Sequence, residues 1–287
     1  MTVYLNGQFL PIEDAKISVL DRGFIYGDGV YEVVPVYARR PYRMPQHLAR
    51  LQRSLDGIRL TNPHSAAEWE AIVDDLVARM AFADQAVYFQ VTRGVAKRDH
   101  AFPAGVKPTV YMMSNPLVLP TAEQIERGVA VVTGVDERWL HCDLKTTSLL
   151  GNVLARQAAV DAGAVESVLF RDGYLTEASA SNILIVKDGV IIAPPKDNLI
   201  LPGITYDATM ELAQAGGLSL VVRPVTRAEA LAADEMWLSS STKEVLAVTT
   251  VDGKPFAGGK PGPVFRKMHS LFQASKRKAG SLLANAP

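Results

Sequence analysis

The feature that most limits the fold of this chain is a series of short strand-like runs joined by tight two-residue turns. Asn6-Gly7, Asp172-Gly173 and Asp188-Gly189 each lie between such runs. Asn-Gly and Asp-Gly favour the positive-φ turns that connect antiparallel strands in hairpins. Strands grouped in hairpins, with helices set apart from them, predict an α+β architecture and disfavour a doubly wound parallel sheet.

A break in periodicity sets the boundary between the predicted domains, and capping patterns mark helix starts within them. Ser65 is followed three residues later by Glu68, the capping-box pattern that begins a helix. Two prolines interrupt 115–120, a stretch without clear periodicity that is typical of a linker. The predicted division is an N-terminal α+β domain at 1–115, a linker at 116–121 and a C-terminal domain at 122–287.

Composition excludes several classes of function. Lys and Arg number 30, and Asp and Glu also number 30, so the formal net charge is zero among 287 residues. That balance disfavours nucleic acid and charged membranes as partners. The single cysteine, Cys142, excludes an intramolecular disulfide and favours a reducing, cytoplasmic setting. The sequence has no zinc-ligand spacing, P-loop or dinucleotide-binding fingerprint, so no metal, ATP or NAD site is expected.

Lys145 is the strongest candidate for chemistry. It lies among apolar residues where the pattern predicts that a strand runs into a helix. Desolvation disfavours an ammonium ion, and an unprotonated amine can form a Schiff base with a carbonyl. Most lysines near strand ends are solvated, so partner residues must support the interpretation.

Three further patterns could hold a cofactor phosphate. The segment Leu201–Asp207 places Pro-Gly before a helix, whose N-terminal N–H groups bind anions. Ser239–Thr242 is a cluster of hydroxyls after a strand, and Arg50 could add a charged contact. Each pattern alone is also typical of an ordinary helix start, loop or solvated helix face.

Two other candidates concern charge on the ligand. Glu177 lies where a strand breaks into a small-residue loop, and its carboxylate could pair with a protonated ring nitrogen. Arg98 and His100 lie two residues apart in the long loop 94–107, so in extended backbone their side chains point the same way and could bind a carboxylate. Solvated charges are the simpler reading of both sites.

At these residues the chain resembles the fold-type IV pyridoxal-phosphate (PLP) enzymes, and within them the D-amino acid aminotransferase branch. The resemblance runs through segments in the family's order: Asp21–Glu32, Tyr88–Gly94, Arg98–Pro103, Arg138–Asn152, Leu175–Asn182 and Leu201–Thr205. It implies a small N-terminal α/β sandwich domain and a larger C-terminal domain with a barrel-like sheet. One departure is Ala180, where a third serine is expected in the small-residue loop.

The resemblance also implies roles at the cofactor. Lys145 would form the internal aldimine with PLP and move the proton at the substrate Cα. Glu177 would pair with the pyridine nitrogen, and Leu201 would pack near the ring. The residues implied in phosphate binding are Arg50, Ile204, Thr205 and a hydroxyl of the serine cluster, Ser240 or Ser241.

For the substrate, the resemblance implies that Tyr31, Arg98 and His100 grip the α-carboxylate. Val33 and Tyr88 would shape the side-chain pocket. In the family this loop reaches over from the other subunit, so a homodimer is implied. The expected reaction is ping-pong transfer of an amino group from a D-amino acid to a 2-oxo acid such as 2-oxoglutarate or pyruvate.

Alternatives within the same fold are a branched-chain L-amino acid aminotransferase, an (R)-amine transaminase and an aminodeoxychorismate lyase. From other classes, the chain could be a PLP-free Schiff-base lyase or a non-catalytic scaffold. The phosphate patterns and Glu177 disfavour the lyase without cofactor. A scaffold leaves the combination of Lys145, Glu177, Arg50 and Thr205 unexplained.

Overall fold

The computed structural model describes residues 1–281, with side chains as far as residue 276. The chain divides into two compact units, the first formed by Met1–Leu117 with Leu144–Leu149 and the second by Val118–Asp143 with the chain from Leu150 onward. The predicted boundaries had assigned 144–149 to the second domain. The segment belongs to the first unit because Thr146 forms an isolated antiparallel bridge with Val30.

The first unit is built on a six-stranded antiparallel sheet of order β2-β1-β6-β5-β3-β4. Its strands are β1 (Thr2–Leu5), β2 (Gln8–Pro11), β3 (Gly29–Tyr37), β4 (Arg40–Pro41), β5 (Gln85–Thr92) and β6 (Thr109–Pro116). Its helices are α1 (Arg22–Tyr26), α2 (Met44–Gly57) and α3 (Ala66–Ala78). The turn between β1 and β2 has positive φ at Asn6 (48°) and Gly7 (96°), as the Asn-Gly pair predicts.

Alternation along β3 gives the sheet two different faces. Val30, Val34 and Val36 are fully buried in the cluster that includes the apolar side chains of α2 and α3. Tyr31 and Val33 point to the opposite face and remain half-buried. The sheet therefore has one core face and one open face. The predicted capping box at Ser65 and Glu68 begins α3, with both reciprocal hydrogen bonds formed.

The second unit contains a nine-stranded mixed sheet of order β12-β11-β10-β13-β14-β7-β8-β9, with β15 beside β14. Its strands are β7 (Val129–Val135), β8 (Glu166–Arg171), β9 (Tyr174–Ala178), β10 (Asn182–Lys187), β11 (Val190–Ala193), β12 (Leu220–Val222), β13 (Glu235–Ser240), β14 (Glu244–Val251) and β15 (Lys254–Pro255). Its helices are α4 (Ala122–Arg127), α5 (Leu150–Asp161), α6 (Ile204–Ala215), α7 (Arg227–Leu231) and α8 (Pro263–Ser281).

This second sheet curls on itself. β9 stands at one end of the strand order, yet it also contacts β10, and Ala178 N donates a hydrogen bond to Ser181 O at 2.7 Å. Hairpins dominate, with parallel pairing of β7 to β8 and β14 and of β11 to β12. The α+β prediction with a barrel-like second sheet is confirmed.

Two local details differ from the sequence prediction. The sequence pattern predicts no strand for the run that forms β14, although this strand is paired in the interior of the sheet order. The spacing of Thr226 and Glu229 in the sequence also predicts a capping box at the start of α7. Thr226 does cap the helix by accepting from Glu229 N, but the Glu229 carboxylate instead pairs with Arg223, at 2.5 and 2.9 Å. A guanidinium within reach competes successfully with one backbone N–H, since it offers two charged donors.

Candidate active site

Lys145 is fixed by its backbone in the first unit. Its N–H donates to Ser54 Oγ on α2 at 3.1 Å, and its carbonyl accepts from Tyr31 N on β3 at 2.9 Å. Lys145 lies between a strand and a helix along the chain, as predicted, but it adjoins neither, because β7 ends at Val135 and α5 begins at Leu150. Lys145 occupies an irregular segment that lies against β3. Tertiary hydrogen bonds, not regular structure, hold its position.

The side chain of Lys145 meets the open face of the first sheet. Its Nζ lies 4.2 Å from the centroid of the Tyr31 ring, and this ring lies 5.6 Å from the ring of Tyr88. Val33 is the cross-strand neighbour of Tyr88. Three residues predicted to contact substrate thus share one half-buried face with the amine.

Tyr88 stays a neutral phenol on this face. Burial, together with the nearby Tyr31 and Tyr111, raises the pKa of Tyr88 to about 12. Its hydroxyl donates to Gln90 Oε1 at 2.6 Å. At neutral pH the face therefore presents aromatic surface and polar groups to a substrate without adding a negative charge.

Arg50 lies on the core face of the same sheet. Its Nε and Nη2 donate to the two carboxylate oxygens of Glu32 at 2.8 and 2.7 Å, and His47 Nδ1 contacts Glu32 at 2.8 Å. Arg50 is 3% exposed and Glu32 is fully buried. Burial raises the pKa of Glu32, but the charge and hydrogen bonds of Arg50, helped by His47, outweigh this and hold it well below its ordinary value. The predicted phosphate contact of Arg50 stays a prediction.

Arg98 and His100 occupy an exposed loop of the first unit. Both rest on Tyr26: the Arg98 guanidinium carbon lies 5.5 Å from the ring centroid, and the His100 ring lies 5.4 Å away. The structure thus brings the two predicted carboxylate ligands together. Among the described residues, no hydrogen bond, ion pair or ring contact joins either of them to Lys145 or Tyr31.

Glu177 is the centre of a buried polar site in the second unit. It is 5% exposed, and its Oε1 accepts from the guanidinium of Arg138. Its Oε2 accepts from Asn182 Nδ2 at 3.0 Å and from the Leu201 N–H at 3.1 Å. Two of the predicted cofactor residues, Glu177 and Leu201, are therefore in direct contact. These donors favour the ionised carboxylate that a protonated ring nitrogen requires.

Arg138 and Asn182 are functional candidates that no motif in the sequence singles out. Arg138 also donates to both oxygens of Asp136, at 2.9 and 2.8 Å. Burial lowers the pKa of Arg138, but its hydrogen bonds and charge pairing with Asp136 and Glu177 more than compensate and raise it. The guanidinium is permanently charged. The available signal was an arginine beside Asp136 and next to Trp139, yet its partner Glu177 lies 39 positions away.

The residues of the second unit that are predicted to bind a phosphate lie at the start of a helix and at a turn. Gly203 is the N-cap of α6. It has no side chain to accept a hydrogen bond, so the first N–H groups of that helix, from Ile204 and Thr205 onward, receive no side-chain cap from it. A Cβ on Gly203 would lie 2.0 Å from Asn182 Oδ1, which explains the glycine.

The serine cluster begins at the end of β13, which packs against α6, and continues into the following turn. Ser240 Oγ accepts from Lys243 N at 3.1 Å and so shapes the turn that contains Ser241. Ser239 Oγ is buried and has no hydrogen-bond partner among the described residues. A buried hydroxyl without a partner is uncommon and is consistent with a ligand as its partner. The donors of both segments match a phosphate.

Cys142 is poorly placed to act as a nucleophile. Burial is the main reason that its pKa rises to about 11, and its thiol lies 3.1 Å from the Trp139 carbonyl.

Among the described residues, no group of three His, Cys, Asp or Glu side chains is placed to hold a metal ion. No helix within residues 1–281 is both long and apolar enough to cross a membrane.

Comparison with known sequences defines the class of protein. The sequence profile of the class IV amino-transferases matches residues 29–251. The chain belongs to this family, and it is an aminotransferase of fold type IV. The predicted resemblance is thereby confirmed.

Within this family, the chain is similar over nearly its full length to D-alanine aminotransferases. The chain is 38% identical to the D-alanine aminotransferase of Bacillus licheniformis over 275 residues, which cover 96% of this chain and 97% of the relative. It is 40% identical to the D-alanine aminotransferase of Listeria monocytogenes serotype 4b, over 95% of each chain.

Solved structures of branched-chain enzymes share the same fold. The T.th. branched-chain amino acid aminotransferase with pyridoxamine 5'-phosphate superposes with a TM-score of 0.91 at 26% identity, covering 97% of this chain and 94% of the other. The Escherichia coli branched-chain enzyme gives 0.90 at 26% identity, covering 95% and 93%.

Proposed function

We propose that this enzyme transfers the amino group of D-amino acids, D-alanine among them, to a 2-oxo acid such as 2-oxoglutarate or pyruvate. The observation that carries the proposal is the similarity, over nearly the full length, to D-alanine aminotransferases at 38–40% identity. The branched-chain enzymes, by contrast, are similar at 26%. Arg98 and His100, side by side on Tyr26, supply the carboxylate grip that D-amino acids require.

PLP is the cofactor whose groups match the donors of this chain. An amine lies on an open aromatic face in the first unit, and the second unit offers a buried carboxylate and phosphate donors. A solved neighbour carries the pyridoxamine form of this cofactor. When bound, PLP supplies an electron sink that stabilises negative charge on the substrate Cα.

The residues of the chain then have distinct tasks. Lys145 anchors the cofactor through its amine and moves the proton to and from the substrate Cα. Glu177, kept ionised by Arg138, holds a proton on the pyridine nitrogen. Thr205, Ile204 and Ser241, with Arg50, bind the phosphate.

The substrate is held by its carboxylate and selected by the open face. Tyr31, Arg98 and His100 bind the α-carboxylate in the orientation that turns the Cα hydrogen of a D-amino acid toward Lys145. Val33 and Tyr88 limit the side chain. The reaction is ping-pong, because the first 2-oxo acid leaves before the acceptor 2-oxo acid binds.

A panel of amino donors tests this function. D-Alanine, L-leucine and (R)-1-phenylethylamine are each supplied with 2-oxoglutarate or pyruvate to enzyme saturated with PLP. We expect turnover with D-alanine to exceed the others by at least about tenfold. A preference for L-leucine would identify a branched-chain enzyme, and a preference for the amine would remove the need for a carboxylate grip.

We also propose a homodimer in which Arg98 and His100 complete the partner's site. Their side chains are exposed, and the same unit exposes large apolar side chains that a second copy could cover, including Val19 (72% exposed) and Phe24 (69% exposed).

The thiol of Cys142 is free, which supports a location in the reducing cytoplasm.

A mixing experiment tests the shared site. Lys145→Ala and Arg98→Ala/His100→Ala should each be weakly active alone. If the loop acts across the interface, a mixed dimer has one site with both an intact Lys145 and an intact loop. We expect activity to reappear on subunit exchange. A mixture no more active than the sum of the two variants means that each chain supplies its own loop.

A further inference from the structure

Arg22 lies beneath the loop that carries Arg98 and His100. Its Nη1 donates to the carbonyls of Asp99 at 2.5 Å and of Ala101 at 3.3 Å, and its Nη2 donates to the carbonyl of His100 at 3.4 Å. Arg22 is 4% exposed, although the residues above it are exposed. Carbonyls in a surface loop ordinarily bond to water, but here three consecutive ones converge on a single buried guanidinium.

The guanidinium of Arg22 is itself held in place. Its Nε donates to Asp28 Oδ2 at 2.7 Å, and the same oxygen accepts from Arg93 Nε at 2.8 Å. Burial raises the pKa of Asp28, but the hydrogen bonds and charges of Arg93 and Arg22 lower it further than burial raises it. Asp28 therefore remains anionic at neutral pH and orients both arginines.

Arg93 secures the far end of the loop. Its Nη2 donates to the Ile58 carbonyl at 2.7 Å, and its guanidinium carbon lies 3.8 Å from the centroid of the Phe102 ring. This distance is typical of a cation–π contact. The loop is thus held through its backbone by Arg22 and through an aromatic side chain by Arg93.

Tyr26 supports the side chains that the loop presents. Its ring contacts Arg98 and His100, as described above, and the Arg22 guanidinium carbon lies 4.9 Å from its centroid. Arg22 and Tyr26 are four residues apart on α1 and so share one helix face. One short helix therefore contacts the loop backbone and both functional side chains.

The helix α1 is rigidly placed on the sheet. Asp21 caps it by accepting from Gly23 N at 2.8 Å and also accepts from the hydroxyls of Thr92 and Thr109, at 2.8 and 2.6 Å. A Cβ on Gly23 would lie 2.2 Å from Thr92 Cγ2, so only glycine allows this approach. The helix can thus transmit the position of the sheet to the loop.

We propose that Arg22 is a positioning residue that sets the direction of the Arg98 and His100 side chains, and with it the affinity of the enzyme for the substrate carboxylate. The proposal rests on the proposed function. The carbonyls of Asp99 and His100 belong to the two peptide planes that flank His100, so hydrogen bonds to them fix where its side chain points. Arg98 lies earlier in the loop, and its guanidinium rests on Tyr26, the ring that Arg22 also contacts. Arg22 needs no contact with substrate to act in this way.

A conservative substitution tests the role. Arg22→Lys keeps the charge beside Asp28 but loses the fork that reaches three carbonyls. We expect the KM for D-alanine and for the 2-oxo acid to rise about tenfold or more, with kcat within about threefold of the parent. The control is Arg53→Gln, an exposed arginine on α2, which we expect to match the parent. Hydrogen exchange of a peptide spanning 97–103 should be faster in Arg22→Lys.

A double-mutant cycle separates positioning from general destabilisation. In the Arg98→Ala/His100→Ala background, Arg22→Lys should change kcat/KM less than about twofold, because the side chains that it directs are gone. An equal loss of kcat/KM in both backgrounds would overturn the proposal. If Arg22→Lys does not fold, Tyr26→Leu replaces it in the cycle with the same expectation.

The outcomes also distinguish this proposal from the proposed function. A parent enzyme that transfers no amino group from D-alanine contradicts the proposed function. A parent that does so, accompanied by an Arg22→Lys variant with the parent's KM and loop exchange, overturns only the role of Arg22.

Discussion

Replacing Glu32 by glutamine should strongly destabilise the first unit. Glu32 is fully buried and accepts hydrogen bonds of 2.8 and 2.7 Å from Arg50, which is itself 3% exposed. The glutamine side chain has nearly the same shape, but it removes the carboxylate charge that faces the buried guanidinium of Arg50. Removing one partner of such a pair costs about 3–5 kcal/mol of unfolding free energy.

Native-state hydrogen exchange can measure this loss of unfolding free energy for the first unit alone. Amides of β3 and α2 that exchange only through unfolding of the unit should exchange about 150- to 4,000-fold faster, since each 1.4 kcal/mol is a factor of ten. The peptides are followed by mass spectrometry at pH 7, with both proteins at equal concentration and freed of PLP, because a bound phosphate would offer Arg50 another negative charge and stabilise the folded state.

The matched control is Asp75→Asn on α3. Asp75 pairs with Arg79 at 3.1 Å, but the two side chains are 50% and 42% exposed. Exposed helix pairs contribute about 0.3–0.5 kcal/mol, so exchange should change only about twofold. Equal effects of Glu32→Gln and Asp75→Asn would refute the reasoning from burial.

The pH dependence gives a second check on Glu32. Its pKa in the folded state is lowered from the ordinary value of 4.5. The stabilisation from its ionised form is therefore fully present above about pH 4.5 and is lost as the pH falls toward the folded-state pKa. The difference between parent and Glu32→Gln should be constant between pH 6 and 8 and shrink below pH 4.5. A difference that grows on acidification would contradict the linkage.

Three other substitutions or reactions follow from the site. Lys145→Ala should lose nearly all transamination while its circular dichroism spectrum is kept, and multiple turnovers by this variant would exclude Lys145. Arg98→Ala should raise the KM for D-alanine about 10- to 150-fold, because it removes a charged contact of about 1.5–3 kcal/mol; an unchanged KM would remove Arg98 from the carboxylate grip. Cys142, whose pKa is raised to about 11, should react with a disulfide reagent at pH 8 only after denaturation, and fast reaction of the native enzyme would argue against its burial.

Local signals in the sequence were sufficient for much of the fold. The Asn6-Gly7 hairpin and the capping box at Ser65 depend on neighbouring residues only, so their physics is visible in a short window. β14 (Glu244–Val251) was missed for the opposite reason. Seven of its eight residues are buried, so it lacks the alternation that identifies a half-exposed strand.

The residues of the candidate site also fall into two groups, those that a local sequence pattern indicates and those that it does not. Lys145, Glu177 and the Arg98–His100 loop could be predicted because they lie in recognisable segments. Their supporting residues could not. Arg138 meets Glu177 across 39 positions, and Arg22 meets Asp99 across 77. Such contacts are set by the tertiary fold, which no local pattern reports.

The most direct test of the account is to locate the cofactor bond. Enzyme saturated with PLP is reduced with borohydride, digested and sequenced by mass spectrometry, before and after a pulse of D-alanine without acceptor. We predict that the phosphopyridoxyl group appears on Lys145 and that the D-alanine pulse, unlike an L-alanine pulse, abolishes the labelling. Labelling of another lysine, or equal loss with both enantiomers, would contradict the central claim that Lys145 carries out D-specific transamination.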